Sequence, residues 1–228
     1  MLRTAITPAA KPAPSTLRGA AAPSEHTLDG VMSIIGTPIT FARGEEIYGE
    51  GEEASSFFQV VTGAVRTYKV LEDGRRQIGA FHLAGDVFGL EAGEEHAFTA
   101  EAVGDCTIRV AQRNTVAAMA GRDAIVAADL WTRTALSLRQ AQDHMLLLGR
   151  KTAEEKVASF LLHMAKRSSA NGVIELPMSR QDIADYLGLT IETVSRTFTH
   201  LEHISAIELP SSRRIVLRNR SNLQRLDA

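Results

Sequence analysis

Residues 179–203, SRQDIADYLGLTIETVSRTFTHLEH, constrain this chain more than any other stretch. Ser179 and Asp182 stand at capping-box spacing, which predicts a helix ending near Leu187. Gly188 ends it, because glycine adopts the left-handed cap without penalty. A second helix is predicted from about Thr190 to Glu202. Ala184 is small where two helices would cross, Gly188 lies in the turn, and Val194 is branched and apolar for the inside. Two short helices joined in this way form a helix-turn-helix.

The outer face of the second helix would carry Ile191, Glu192, Ser195 and Arg196. Positions 192, 195 and 196 are neighbours there, because residues three and four apart share a helix face. Glutamate can accept from cytosine and arginine can bond guanine bidentately, so this face suits base readout in a major groove of double-stranded DNA. The alternative is a solvated face with a Glu192–Arg196 pair at i,i+4. Two β-prone stretches follow, Ala206–Leu209 and Arg213–Leu217, joined by Pro210-Ser211-Ser212. They read as a wing whose Arg213 and Arg214 suit phosphate contact, with a solvated turn as the alternative.

Upstream the pattern differs. Residues 38–112 hold short apolar runs punctuated by glycine, among them Phe57–Val61, Val65–Val70 and Gln77–His82. Asp73-Gly74 between the last two is a hairpin signal, since glycine supplies the positive φ of a tight turn. Many short strands of this kind predict an antiparallel β-roll, jelly-roll-like in form. Ala127, Trp131, Thr134, Leu138, Ala141, Met145 and Leu148 then recur at alternating spacings of four and three, a heptad seam of a long helix. A seam so narrow and long fits pairing with a second copy; a helix packed on its own domain is the alternative. Gly149-Arg150-Lys151 is read as interrupting that helix, and Thr152 and Glu155 have the spacing of a new capping box. Asn171-Gly172 is a turn, followed by a short strand over Val173–Leu176. The reading is therefore α+β: a flexible arm at 1–26, a β-roll sensor domain at 27–118, a dimerisation helix at 119–149 and a winged helix-turn-helix at 150–228.

Charge and composition narrow the classes. The net charge of −2 divides into −5 over residues 1–148 and +3 over 149–228, so the basic end suits a polyanion. No apolar run is long enough to span a membrane. The single cysteine, Cys106, forbids an intrachain disulfide or a multi-cysteine metal site and fits a reducing cytoplasm. A buried inert thiol is the default for it, a redox switch the alternative. The arm, rich in Ala, Pro and Ser, lacks the apolar core of a secretory signal and only weakly resembles a transit peptide. His200 and His203 could hold a metal at i,i+3, but nothing nearby completes a site. A cupin-like metalloenzyme would share the roll but needs clustered histidines, and only His82 and His96 lie there. No enzyme activity, cofactor or metal is expected.

These stretches together resemble the Crp–Fnr superfamily of transcription regulators over about residues 28–220. The most specific segments are Lys151–Phe160 and Gln181–Arg196, and Glu192-Thr193-Val194-Ser195-Arg196 resembles the E-x-x-S-R readers of the Fnr and FixK branches. The resemblance implies TTGA-type half-sites, base readout by Glu192, Ser195 and Arg196, and phosphate contacts from Ser179, Arg180, Gln181, Thr190 and Thr193. It also implies a homodimer that meets RNA polymerase as an activator. One cysteine excludes the cluster of the oxygen-sensing members. Gly89-Leu90 and His96-Ala97 stand where the cyclic-AMP receptor has its ribose and phosphate ligands, and they cannot supply those bonds. What remains resembles FixK, an activator of low-oxygen respiration and nitrogen-fixation genes that needs no small effector. A regulator answering to a non-nucleotide effector in the roll is the alternative.

Overall fold

The computed structural model describes residues 26–168 and 172–227; the expected arm, apart from His26, and Asn171 of the expected turn lie outside the described residues. Helix α1 (Leu28–Ile35) precedes the strands β1 (Thr37–Phe41), β2 (Glu46–Tyr48), β3 (Ser56–Thr62), β4 (Ala64–Val70), β5 (Arg76–Leu83), β6 (Val87–Phe88), β7 (Thr99–Ala102) and β8 (Cys106–Gln112). Helices α2 (Arg113–Ala120), α3 (Ala124–Arg150) and α4 (Ala153–Ser168) follow. Then come β9 (Val173–Glu175), α5 (Arg180–Leu187), α6 (Ile191–His203), β10 (Ile207–Glu208), β11 (Arg214–Leu217) and α7 (Arg220–Asp227).

The expected antiparallel roll is present as two four-stranded sheets, β1-β8-β3-β6 and β2-β7-β4-β5. Its strands alternate apolar residues inward, and Val60, Val65, Ala100, Ala102 and Ile108 meet between the sheets. The β4–β5 hairpin turns through Gly74 at φ +82°, as the Asp-Gly pair requires. Helix α1, for which the sequence reading had no signal, closes one end of the roll by burying Leu28 and Met32 against Phe57 and Val116.

Helix α3 is 27 residues long, about 40 Å, with Asp123 as its cap accepting from the Ile125 amide. One expectation is corrected here. Gly149 does not interrupt the helix; α3 runs through it to Arg150, and the break falls at Lys151, whose backbone is extended (φ −87°, ψ 144°). A solvent-facing glycine can stay helical near a terminus, whereas the capping box at Thr152 needs the chain to leave the helix. That box forms, with the Thr152 amide donating to Glu155 Oε2 at 2.7 Å and the Glu155 amide to Thr152 Oγ1 at 3.4 Å.

Beyond it, α4, α5, α6 and the sheet β10-β11-β9 enclose a second core built on Leu161, Ile174, Ile183, Leu187, Val194, Phe198, Leu201 and Ile215. Helix α7, also unforeseen, seals it with Leu223 against α4. No helix among the described residues is long and apolar enough to cross a membrane.

Candidate nucleic-acid interface

Both helices of the reader start on side-chain caps. Ser179 Oγ accepts from the Asp182 amide at 3.1 Å while Asp182 Oδ2 accepts from the Ser179 amide at 3.0 Å. Gly188 takes the left-handed conformation (φ 61°) that ends α5. Thr190 Oγ1 then accepts from the Thr193 amide at 3.2 Å and opens α6. Ala184 is fully buried at the crossing. A Cβ on Gly188 would lie 3.3 Å from Leu148 Cδ2, so the turn packs closely against the end of α3.

Helix α6 divides cleanly. Val194, Thr197, Phe198 and Leu201 are buried, while Ile191, Glu192, Ser195 and Arg196 are exposed on the outside. Both Glu192 and Arg196 are exposed, and the i,i+4 ion pair between them is not formed among the described residues. A planar guanidinium, a carboxylate and a small hydroxyl lie side by side on one helix face, a combination of donors and acceptors that can address base edges.

The residues expected at phosphate are placed unequally. Thr190 and Thr193 stand at the start of α6, where backbone amides and the helix dipole favour anions, although their hydroxyls also bond each other at 3.0 Å; Ser179 starts α5, but its amide and hydroxyl both donate to Asp182 Oδ2. Gln181 Nε2 donates to Asp185 Oδ1 at 2.7 Å. The Arg180 guanidinium lies 3.5 Å from the centre of the Phe198 ring, with Nη1 buried and without a hydrogen-bond partner among the described residues. Burial pulls its pKa below the ordinary arginine value. Arg213 and Arg214 are exposed on the wing; Arg214 Nε stands 3.4 Å from Glu175 Oε1.

The seam on α3 is largely uncovered. Trp131 is 74% exposed, Leu138 61% and Met145 65%, and Thr134 and Ala141 are exposed beside them. Ala127 and Leu148 are half-buried, Leu148 being turned into the reader core.

Between α3 and the roll lies a cleft of about 820 Å³ bordered by Tyr48, His82, Leu90, Glu91, Ala97, Leu138 and His144. Its wall also carries Arg167, whose guanidinium donates to the Phe81 carbonyl and pairs with Asp86. Burial lowers the His82 pKa to about 4, so that side chain is neutral, and the His96 ring is stacked on Tyr48 at 3.6 Å. Cys106 is buried and burial raises its pKa, the condition of an unreactive thiol. His200 Nε2 stands 3.5 Å from Glu154, and no group of three metal-ligating side chains gathers among the described residues.

One feature had no signal in the sequence. Arg66 and Arg76, on adjacent strands of the roll, both reach Asp182 of α5, with Arg66 Nη1 and Arg76 Nη2 at 2.8 and 2.7 Å from Oδ1. Residues more than a hundred positions apart in the chain meet there, which no local pattern announces.

Residues 155–226 match the Crp-like helix-turn-helix domain family, and residues 38–123 the cyclic nucleotide-binding domain family. The chain is 51% identical to the nitrogen fixation regulation protein FixK of Azorhizobium caulinodans, over 92% of this chain and 87% of that one. It is 42% identical to FixK of Rhizobium meliloti, over 84% and 87% respectively. The structure of FixK2 from Bradyrhizobium japonicum superposes with a TM-score of 0.82 at 56% identity, covering 85% of this chain and 98% of that one. A roll, a long helix and a capped reader arranged as in FixK2, with sequence identity sustained across them, place the chain in the FixK branch of the Crp–Fnr superfamily, a family of DNA-binding transcription regulators and not of enzymes.

Proposed function

We propose that the protein acts in the cytoplasm as a homodimer that reads TTGA-type palindromes without a small effector and activates genes of low-oxygen respiration and nitrogen fixation through RNA polymerase. The observation that carries this reading is the outer face of α6, where Glu192, Ser195 and Arg196 stand exposed side by side on a helix capped at Thr190. Arg196 would take guanine O6 and N7, Glu192 the amino group of the paired cytosine, and Ser195 and Ile191 the space beside a thymine methyl. Ser179, Arg180, Gln181, Thr190 and Thr193, with Arg213 and Arg214 on the wing, would hold the backbone on either side. The uncovered seam at Trp131, Leu138 and Met145 supports pairing of two copies, and two-fold symmetry matches a palindrome whose half-sites lie about 34 Å apart. The low-oxygen and nitrogen-fixation role rests on the FixK relatives.

Footprinting tests the whole reading. Purified protein, with no cyclic nucleotide, metal or reductant added, should protect a TTGA palindrome. A tenfold tightening by cyclic AMP, about 1.4 kcal/mol of coupling, would overturn the effector-free mode.

One observation favours a second reading, a regulator answering to a non-nucleotide effector. Tyr48 OH is buried beside the cleft with no hydrogen-bond partner among the described residues, and Glu91 Oε2 and His96 Nδ1 near it face only each other, at 3.6 Å. A polar ligand group could satisfy them. A thermal-shift screen of small metabolites against wild type and Tyr48→Phe separates the two readings.

A further inference from the structure

Five charged groups alternate in sign across the junction between the roll and the reader. Glu101 of β7 meets Arg66 of β4; Arg66 meets Asp182 of α5; Asp182 meets Arg76 of β5; and Arg76 meets Asp185 of α5. Their side chains are largely shielded, with 4% exposure at Asp182, 14% at Arg66 and 23% at Arg76. Asp182 is filled to capacity: its Oδ1 takes both arginines, and its Oδ2 takes the Ser179 amide and hydroxyl. The carboxylate that caps α5, beside the predicted phosphate contacts, is therefore the same one that fastens α5 to the roll.

A second fastening lies at the other end of α5. The Tyr186 carbonyl accepts from Gln77 Nε2 of β5 at 3.2 Å and pairs with His144 Nε2 of α3 at 2.8 Å. The His144 and Tyr186 rings stack at 4.0 Å and 7°. Only Lys151 and Thr152 separate α3 from α4, and a short two-residue joint leaves rotation of the reader open. Two polar attachments, one at each end of the eight-residue α5, act against that rotation, beside the bonds of Arg167 on α4 to the Phe81 carbonyl and Asp86 and the apolar core that the reader shares with Ile78 and Phe81 of the roll. Apolar contacts alone would tolerate sliding; directional charge-assisted bonds fix one register.

We infer that Arg66 and Arg76 are positioning residues for DNA recognition: by clamping Asp182 and Asp185 they set the angle of the reader on the roll and hence the half-site spacing that the dimer accepts. This rests on the dimeric palindrome reading above. A change of one base pair moves a half-site by about 3.4 Å and turns it by about 35°, so a rigid head should reject it. A head freed from the clamp should adapt.

The experiment measures affinity of the full-length chain for palindromes of two TTGA-type half-sites at the best spacer and at one base pair more or less, and for a single half-site. Wild type should prefer the best spacer by about tenfold or more. The variant R66Q/R76Q should lose most of that preference while binding the single half-site as wild type does. Wild type without any spacer preference would overturn the dimeric reading and the clamp with it. A preference retained in R66Q/R76Q would overturn the clamp alone. Should that variant lose single-site binding too, the milder R76K decides: a lysine reaches one carboxylate where Arg76 reaches two, so a reduced spacer preference at unchanged single half-site affinity upholds the clamp, and an unchanged preference overturns it.

Discussion

Leu138→Glu tests the proposed pairing of two copies. Leu138 is 61% exposed in the single chain, between Trp131 and Met145 on the same stripe. Full burial of a leucine is worth about 1.5–3 kcal/mol, so covering the part now exposed should contribute about 1–2 kcal/mol in each protomer. A two-fold interface uses the residue twice, so its loss should cost about 2–4 kcal/mol and weaken the dimer about 30- to 900-fold. Glutamate adds two carboxylates to an apolar seam, and their desolvation raises the cost further. Because Leu138 is not part of either core, helix content and the single-chain fold should survive. Light scattering at micromolar concentration should give monomers for Leu138→Glu and dimers for wild type, with operator affinity falling in parallel. An unchanged dimer would refute the seam as the interface.

The other expectations are more local. Arg180→Ala should weaken binding to all DNA sequences similarly and reduce the salt slope of binding, as loss of a phosphate contact does. Since the guanidinium also covers the Phe198 ring, this variant should melt at a lower temperature as well, which calorimetry would register. At Asp182, burial raises the carboxyl pKa, but the Ser179 bonds and the charges of Arg66 and Arg76 outweigh it and leave the pKa below the ordinary value. A carboxyl depressed in the folded state stabilises above its unfolded pKa of about 4, and that stabilisation is lost as pH falls through the lower folded value. The melting-temperature gap between wild type and Asp182→Asn should thus be full at pH 6 and shrink below pH 4; a gap constant down to pH 3 would contradict the ion pairing.

Much of this molecule was legible because its signals are local. The Asp73-Gly74 hairpin, the capping boxes at Thr152 and Ser179 and the glycine stop at Gly188 each follow from a few neighbouring residues, and each forms. The outer face of α6 was equally legible, since helical spacing alone places Glu192, Ser195 and Arg196 together. Gly149 misled because a glycine near a helix end reads as a stop, yet it remains helical there. Helices α1 and α7 are short, and their formation depends on Leu28 and Leu223 being buried by distant segments. Arg180 shows the same limit: the resemblance implied a phosphate contact, and Phe198, on the next helix, half-covers its guanidinium. The charge clamp lies wholly beyond local reasoning, because Arg66 and Asp182 are brought together only by the docking of reader on roll.

The most direct test of the central claim is the preference of Arg196→Ala among the four bases at the guanine of the TTGA half-site, measured at fixed salt beside wild type. If Arg196 reads that guanine through its planar fork, the variant should lose about 1–3 kcal/mol per half-site on the guanine-bearing operator and bind the four bases nearly alike. If Arg196→Ala instead loses affinity evenly and keeps the wild-type preference for guanine, Arg196 is a phosphate anchor, and α6 does not read bases in the way proposed.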